Sequence, residues 1–277
     1  MPVRIITDSS SGLPHDVVEE LGITVTCRSC ALRGESEVST SGLTALELAA
    51  AYARQLERGG DEGVVALHLS KELSSTWSAA VAASGVFDGL VRVIDTGTAG
   101  MAVGAAAMAA ARIALDGASL DECEALARDT LMRSETWLYL HRVDELRKSG
   151  RISAATAVVS AALATKPIMK LHNGKIELAV KTRTQSKAFA KLSAVIAERC
   201  ASYPAFVAIQ HVDAEEAAHS LAEQLKLALP SGSSFMITTL DRSVAVHCGT
   251  GALGISVVFS EHSVPSEAID TPESNQN

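Results

Sequence analysis

Short β-branched apolar runs alternate with helix-length segments through the first half of the chain. Val3 to Thr7, Ile23 to Thr26, Val64 to Leu69 and Val91 to Ile94 have strand length and composition. Between them, His15 to Leu21 reads as a short helix. Thr44-Ala45-Leu46-Glu47 has the S/T-x-x-E spacing of a capping box and predicts a helix that stops at Gly59-Gly60. Further helices are predicted from about Thr76, over the Ala-rich stretch Ala99 to Leu115, and from a second capping box, Ser119 to Glu122. Thr136 to Leu140 is strand-like. This βαβα rhythm predicts a mostly parallel sheet with helices on its faces. In such sheets ligands sit beyond the C-terminal strand ends, where the hydroxyl-rich loops Thr7-Asp8-Ser9-Ser10-Ser11-Gly12 and Ser70 to Thr76 fall.

The second half has a different rhythm. Pro167 to Leu171 and Ile176 to Lys181 flank Asn173-Gly174, a strong hairpin signal. Helical patterns over Gln185 to Cys200 and Ala214 to Leu229 alternate with apolar runs at Phe206 to Ile209, Phe235 to Leu240 and Ile255 to Phe259. A mixed sheet containing an antiparallel pair is expected. The predicted fold class is therefore α/β in two domains: a mostly parallel N-terminal sheet over residues 1–155 and a mixed C-terminal sheet over 156–262, with the ligand between them. Residues 263–277 are polar, contain Pro265 and Pro272, and read as a flexible tail.

Composition narrows the function. A length of 277 residues with 47% hydrophobic content supports a large core. A net charge of −8 argues against a nucleic-acid backbone as partner, and 4% aromatic residues argue against base-stacking platforms. The opening Met1 to Ile6 lacks a signal-peptide layout, and the longest apolar tract, Ala99 to Ala111, is too short to span a bilayer, so a cytoplasmic location is expected with at most transient membrane contact. Five cysteines, an odd and scattered set, do not form a disulfide framework. Cys27-x-x-Cys30 lacks a following helix start or a second ligand pair, so no metal or redox role is assigned to it.

The richest motif is His247-Cys248-Gly249-Thr250-Gly251-Ala252-Leu253-Gly254, a histidine heading a glycine-spaced loop. Its literal G-x-G-x-x-G is followed by the strand-like Ile255 to Phe259 rather than a helix, which removes the dinucleotide reading. On residue chemistry alone the glycines read as a tight turn and His247 as a hydrogen-bonded structural histidine. Likewise Thr7 to Ser10 reads as an Asx-turn or a site loop, and Ser74 to Thr76 as a helix cap, a site, or both.

Taken in order, these signals resemble the DegV family, bacterial fatty-acid-binding proteins that act as acyl carriers for fatty acid kinase. The resemblance rests on Thr7-Asp8-Ser9-Ser10, Thr40-Ser41, Leu73 to Trp77, Asp95-Thr96, Gly150-Arg151-Ile152, Lys166-Pro167-Ile168, Asn173-Gly174-Lys175, Lys181 to Thr184 and His247 to Gly254, and it covers nearly the whole chain. Gly42-Leu43 stands where the family has Gln-Pro, Ser75 replaces a glycine, Thr250 replaces a proline, and Trp77 is bulkier than the usual tyrosine. These departures bear on acyl-chain preference and leave the hydroxyl and imidazole donors in place.

The resemblance implies a long-chain fatty acid held in a buried apolar tunnel, its carboxylate presented to a separate kinase catalytic subunit that supplies ATP and Mg²⁺. This chain would be a non-catalytic binding subunit with no cofactor of its own beyond the bound fatty acid. It carries no P-loop or protein-kinase signature. Tail burial contributes roughly 0.8 kcal/mol per methylene, while a buried carboxylate requires donors. By resemblance Thr40, Ser41, Ser74 and Ser75 supply hydroxyls, His247 and Arg183 line the same end, and backbone N–H groups at Gly249 and Gly251 add donors. Asp8, Ser9 and Thr96 are further candidates, and Arg151 is left outside the site. Two rival functions remain open: a serine hydrolase of acyl esters, for which no G-x-S-x-G elbow is present, and a small-anion-binding regulatory protein.

Overall fold

A computed structural model describes residues 2–26, 30–33, 37–40, 42–152 and 165–263. Two sheets organise the chain. The first has strand order β2-β1-β5-β6 and is wholly parallel, built from β1 (Arg4–Asp8), β2 (Thr24–Thr26), β5 (Val64–His68) and β6 (Val91–Asp95). β5 is buried along its whole length, as expected of a parallel strand covered on both faces. One face, with Ile5, Val65, Leu67 and Ile94, packs on α4 (Met101–Leu115) and α5 (Leu120–Met132). The other face, with Ile6, Val64 and Ala66, packs on α2 (Ala45–Gly59) and α3 (Thr76–Ser84). Both capping boxes form, Thr44 with Glu47 and Ser119 with Glu122, and Gly60 closes α2 in the left-handed region. Small side chains on α4, including Ala106, Ala107 and Ala110, are fully buried, which lets this helix approach the sheet closely.

The second sheet has order β11-β10-β12-β7-β8-β9, from β7 (Ser134–Tyr139), β8 (Lys166–His172), β9 (Lys175–Thr182), β10 (Phe206–His211), β11 (Ser234–Thr239) and β12 (Leu253–Val258). Only its β10–β11 pair is parallel. Trp137, Tyr139, Ile209 and Ile255 point to one face and pack on α7 (Gln185–Cys200) and α8 (Glu215–Ala228). The alternate positions Thr136, Leu138, Gln210 and Ser256 lie on the opposite face, following the two-residue period of strands. A separate antiparallel pair joins β3 (Cys30–Arg33) to β4 (Glu37–Thr40). The remaining helices are the short α1 (His15–Glu20), α6 (Asp144–Lys148) and α9 (Arg242–Cys248).

Two readings from the sequence need correction. The strand at Thr136 to Leu140 continues the βαβα rhythm in sequence, yet β7 is an antiparallel member of the second sheet between β12 and β8. The chain thus crosses between sheets at Arg133, ahead of residue 155, because register with β12 and β8 rather than sequence proximity determines the sheet. The stretch headed by His247 is also not all loop: His247 and Cys248 form the last turn of α9, whose Asp241 cap accepts the Ser243 N–H at 2.9 Å. Cys27 and residues 264–277, hence nearly all of the expected tail, lie outside the described residues.

Polar contacts join the two sheets. Ser70 Oγ donates to the Gly174 carbonyl at 3.2 Å, so the β8–β9 hairpin tip sits on the β5–α3 loop. Ser9 Oγ donates to Asp241 at 3.2 Å. Gln210 reaches from β10 to the start of α4, where its Oε1 accepts the Met101 N–H at 2.9 Å. Its Nε2 lies 1.8 Å from where a Cβ on Gly12 would stand, and Gly12 has φ +65°. Gly12→Ala therefore meets a filled position as well as a strained backbone. It is expected to cost about 2 kcal/mol or more, read as a lowered urea midpoint with an unchanged slope.

Candidate functional site

The inner face of the second sheet does not close completely against the first. Between β7, β10 and β12 on one side and α9, the start of α4 and the β5–α3 loop on the other lies a cavity with about 750 Å³ of atom-free space, its mouth included. Its wall is overwhelmingly apolar, with Leu69, Leu73, Leu138, Leu146 and Ile176 among the lining residues. Leu69 and Leu73 come from the loop after β5, Leu138 from β7 and Leu146 from α6.

Polar lining groups fall on two sides. His247 projects from α9 and Arg151 from the segment after α6, two elements that pack on each other. Thr136, Gln210 and Ser256 come from the second sheet where it faces Gly100 and the start of α4. Cys248 is in the wall as well, but burial pushes its thiol up to about 12, and Cys200 up to about 11, so neither is poised as a thiolate. Among the described residues no group of acidic, histidine or cysteine side chains has metal-site geometry.

The segment at Gly42 lies against the Ser74 to Thr76 loop, and neither Ser74 nor Ser75 is among the residues of the cavity wall. Ser74 Oγ accepts the Thr76 N–H at 3.3 Å and pairs with Thr76 Oγ1 at 3.0 Å, opening α3. A Cβ on Gly42 would stand 2.8 Å from Ser75 Oγ and 3.4 Å from Thr76 Oγ1, so the chain just after β4 rests against Ser75 and Thr76. Gly42 and Ser75, two of the departures from the family pattern, therefore fit each other: the missing Cβ at 42 makes room for the hydroxyl at 75. Thr40 ends β4, with its backbone in register with Cys30; Ser41 lies outside the described residues.

Other candidates occupy different places. Arg183 is exposed in the turn between β9 and α7 and is not in the cavity wall, whereas Arg151 is. Gly249 and Gly251 have positive φ, 76° and 85°, and their N–H groups donate to Ala245 and Val212 carbonyls at 2.9 and 2.8 Å. A Cβ at Gly251 would come within 2.7 Å of His141 Cβ. These glycines make a tight turn whose N–H groups at 249 and 251 are already engaged. Thr96 Oγ1 donates to the His68 carbonyl at 2.7 Å, and Ser9 serves the contact to Asp241.

Asp8 is not at the surface of the cavity but beneath it. Its carboxylate is buried and accepts from Ser10 N–H at 3.0 Å, from the Ser10 hydroxyl, and from Leu69 N–H at 3.2 Å. His68 Nδ1 is 3.1 Å from Asp8 Oδ2, and His68 Nε2 is 3.0 Å from the Tyr52 hydroxyl. Burial alone would raise the Asp8 pKa; the His68 and Ser10 interactions outweigh it and hold the carboxyl below its ordinary value. Burial, with the Asp8 charge adding to it, pushes the Tyr52 phenol up, so Tyr52 stays protonated and can donate to His68. This chain from α2 to β5 to β1 fixes the start of the loop that carries Leu69 and Leu73. His68 and Tyr52 carry no motif of their own; a histidine closing a buried strand was the available signal.

A parallel and a mixed α/β sheet enclosing an apolar cavity, with hydroxyl, imidazole and guanidinium groups in its wall, define a two-sheet α/β protein with a candidate small-molecule site. The family model described as "Uncharacterised protein, DegV family" matches residues 30–260, and the chain belongs to the DegV family. It is 63% identical over 261 residues to a DegV domain-containing protein of Corynebacterium glutamicum, covering 94% of this chain and 95% of that one. The crystal structure of the DegV family protein Cg2579 from that organism, also 63% identical, has a TM-score of 0.91, with 94% and 98% of the two chains covered. A Thermus thermophilus DegV family protein, a fatty acid binder, is 27% identical with a TM-score of 0.83 over 94% and 100%. DegV of Bacillus subtilis, a fatty acid binding protein, is 26% identical with a TM-score of 0.82 over the same shares. No helix among the described residues is long and apolar enough to cross a membrane.

Proposed function

We propose that the cavity binds a long-chain fatty acid and that the chain presents the acid's carboxylate to a separate kinase subunit for phosphorylation. The observation that carries this reading is the apolar cavity with His247 and Arg151 on one side. The fatty acid binding of the Thermus and Bacillus relatives supports it. The tail lies along the leucine-rich wall, where each methylene removed from water contributes about 0.8 kcal/mol. The carboxylate meets His247 and the hydroxyls of Thr40, Ser41, Ser74 and Ser75, with Arg151 rather than Arg183 as the nearby guanidinium. Hydrogen bonds to an ionised acceptor are the strong ones, which compensates the loss of hydration at the headgroup. The kinase subunit brings ATP and Mg²⁺; this chain contributes binding and orientation.

The test is solvent extraction of freshly purified protein with mass spectrometry, beside a native mass of the complex. A long-chain fatty acid in about equimolar amount is the expected result. His247→Ala and Ser74→Ala should lose it while remaining folded. Arg151→Gln should weaken binding by about tenfold and Arg183→Gln by less than about twofold. Incubating the loaded protein with a bacterial fatty acid kinase catalytic subunit and ATP should then yield acyl phosphate. Absence of lipid, together with no rise in melting temperature on adding palmitate or oleate, overturns the reading. Turnover of an activated ester that is lost in Ser74→Ala would establish the hydrolase instead.

A further inference from the structure

The β8–β9 hairpin closes one flank of the cavity along a thin, lightly held seam. Leu171, near the end of β8, and Ile176, near the start of β9, line the cavity from the hairpin. Leu69 and Leu73 line it from the β5–α3 loop that the hairpin meets. The same short segments also reach solvent: His172, Asn173 and Lys175 on the tip and Lys71 and Glu72 on the loop are exposed, and Leu171 and Leu73 are only half-buried. A small displacement of the tip therefore joins cavity to solvent. The tip projects past its neighbour in the sheet, since the pairing of β7 with β8 stops at Thr136 and Leu171. Among the described residues, one hydrogen bond joins the segment 172–175 to the molecule outside the hairpin, from Ser70 Oγ to the Gly174 carbonyl at 3.2 Å. Ser70 is fully buried, and its Oγ also accepts the Glu72 N–H at 3.2 Å, which aims its proton at the tip. A Cβ on Gly97 would lie 3.9 Å from the Gly174 nitrogen, so bare backbone also faces the tip there. The α4 flank is closed differently, by the buried Gln210 bonded to Met101 and packed on Gly12.

We infer that the hairpin tip is the ligand's door, latched to the β5–α3 loop by the Ser70–Gly174 bond. Fatty acid enters and leaves between Leu171 and Ile176 on the hairpin and Leu69 and Leu73 on the loop. This rests on the fatty acid reading above and adds its route of exchange. Opening trades one hydrogen bond for hydration of the Gly174 carbonyl, a modest net loss. A tail in the cavity touches the leucines of both sides only when the tip is down, so the ligand favours the closed state through contacts the open state lacks. Asn173 and Gly174 both have positive φ, 47° and 79°, the conformation of a tight two-residue hairpin turn, so the tip moves as one piece.

The rate of exchange tests the door. Protein loaded with cis-parinarate, a fluorescent fatty acid, is chased with excess oleate and the release is followed. Ser70→Ala unlatches the tip in free and loaded protein alike, so release should quicken about fivefold with the equilibrium affinity within about twofold. Ser70→Ala/Glu72→Cys/Gly174→Cys locks it. A Cβ at 174 would stand 3.5 Å from Glu72 Cβ, at the near end of the roughly 3.5–4.5 Å that a disulfide spans, and Ala at 70 clears the Ser70 hydroxyl from its path. Oxidised, with the 72–174 bond confirmed by peptide mass, this variant should release parinarate at least about tenfold more slowly than when reduced. Wild type under both conditions controls for the native cysteines. A cross-linked protein that releases as fast as its reduced form overturns the proposal. If the locked variant does not fold, a cysteine at the positive φ of Gly174 being strained, Ser70→Ala decides, and release at the wild-type rate overturns the proposal. If wild type binds neither parinarate nor oleate, the fatty acid reading itself has failed and the door falls with it.

Discussion

Asp8→Ala is expected to lower the unfolding free energy by about 3–5 kcal/mol, the usual cost of removing one member of a buried, hydrogen-bonded pair. The substitution strands four donors at once. Ser10 N–H, the Ser10 hydroxyl, Leu69 N–H and His68 Nδ1 all converge on this carboxylate, and all four belong to buried residues. Tyr52→Phe removes only the outer link to His68 and should cost about 1 kcal/mol. Chemical denaturation at neutral pH distinguishes the two. The pH dependence gives an independent check. Asp8 has a folded pKa below its ordinary value of 3.8. Its contribution is therefore fully present above that ordinary value and is lost as pH falls through the lower, folded one. The gap between wild type and Asp8→Ala should be constant from neutral pH down to about pH 5 and shrink only below about pH 4. A gap that already closed above about pH 5 would contradict an ionised Asp8 as the anchor.

The same network shows where sequence reading succeeds and where it stops. The Thr7-Asp8-Ser9-Ser10 turn was legible because an aspartate after a β-branched run has a local reason to turn the chain, and Ser10 does donate to Asp8. Capping boxes, the Asn173-Gly174 hairpin and the alternation of strand and helix are local signals of the same kind, and the structure forms all of them. What stayed hidden depends on register. Thr136, Gln210 and Ser256 lie in three apolar runs that are far apart in sequence, and they share a face only because β7, β12 and β10 pair as they do. A strand buried on both faces reads as a nearly continuous apolar run, so a polar residue within it gives no sign of which face it takes. Arg151 and Arg183 present the same difficulty. Each follows a recognisable motif, but only the packing of α6 on α9 brings the segment of Arg151 to the cavity wall.

Gly254→Ile should empty the site while leaving the fold intact. Gly254 lies in β12 in the cavity wall, and a Cβ there would meet only ordinary contacts, Leu240 Cδ1 at 3.6 Å and Gln210 Cβ at 3.9 Å. Its backbone is not in the left-handed region, so a β-branched residue introduces no strain and favours the strand. Because Gly254 is part of the cavity wall, the added side chain is expected to enter the cavity. Displacing about four methylenes of a bound tail removes about 3 kcal/mol of burial, more than a hundredfold in affinity. The lipid-free variant is expected to melt no lower than lipid-free wild type, because filling an apolar cavity adds contacts. Only the wild type should gain melting temperature when fatty acid is added. This pairing separates cavity from scaffold: a variant that melts early reports damage to β12, whereas one that melts normally and still binds fatty acid with wild-type affinity shows that the tail does not pass Gly254. The second result would move the ligand away from the inner face of the mixed sheet.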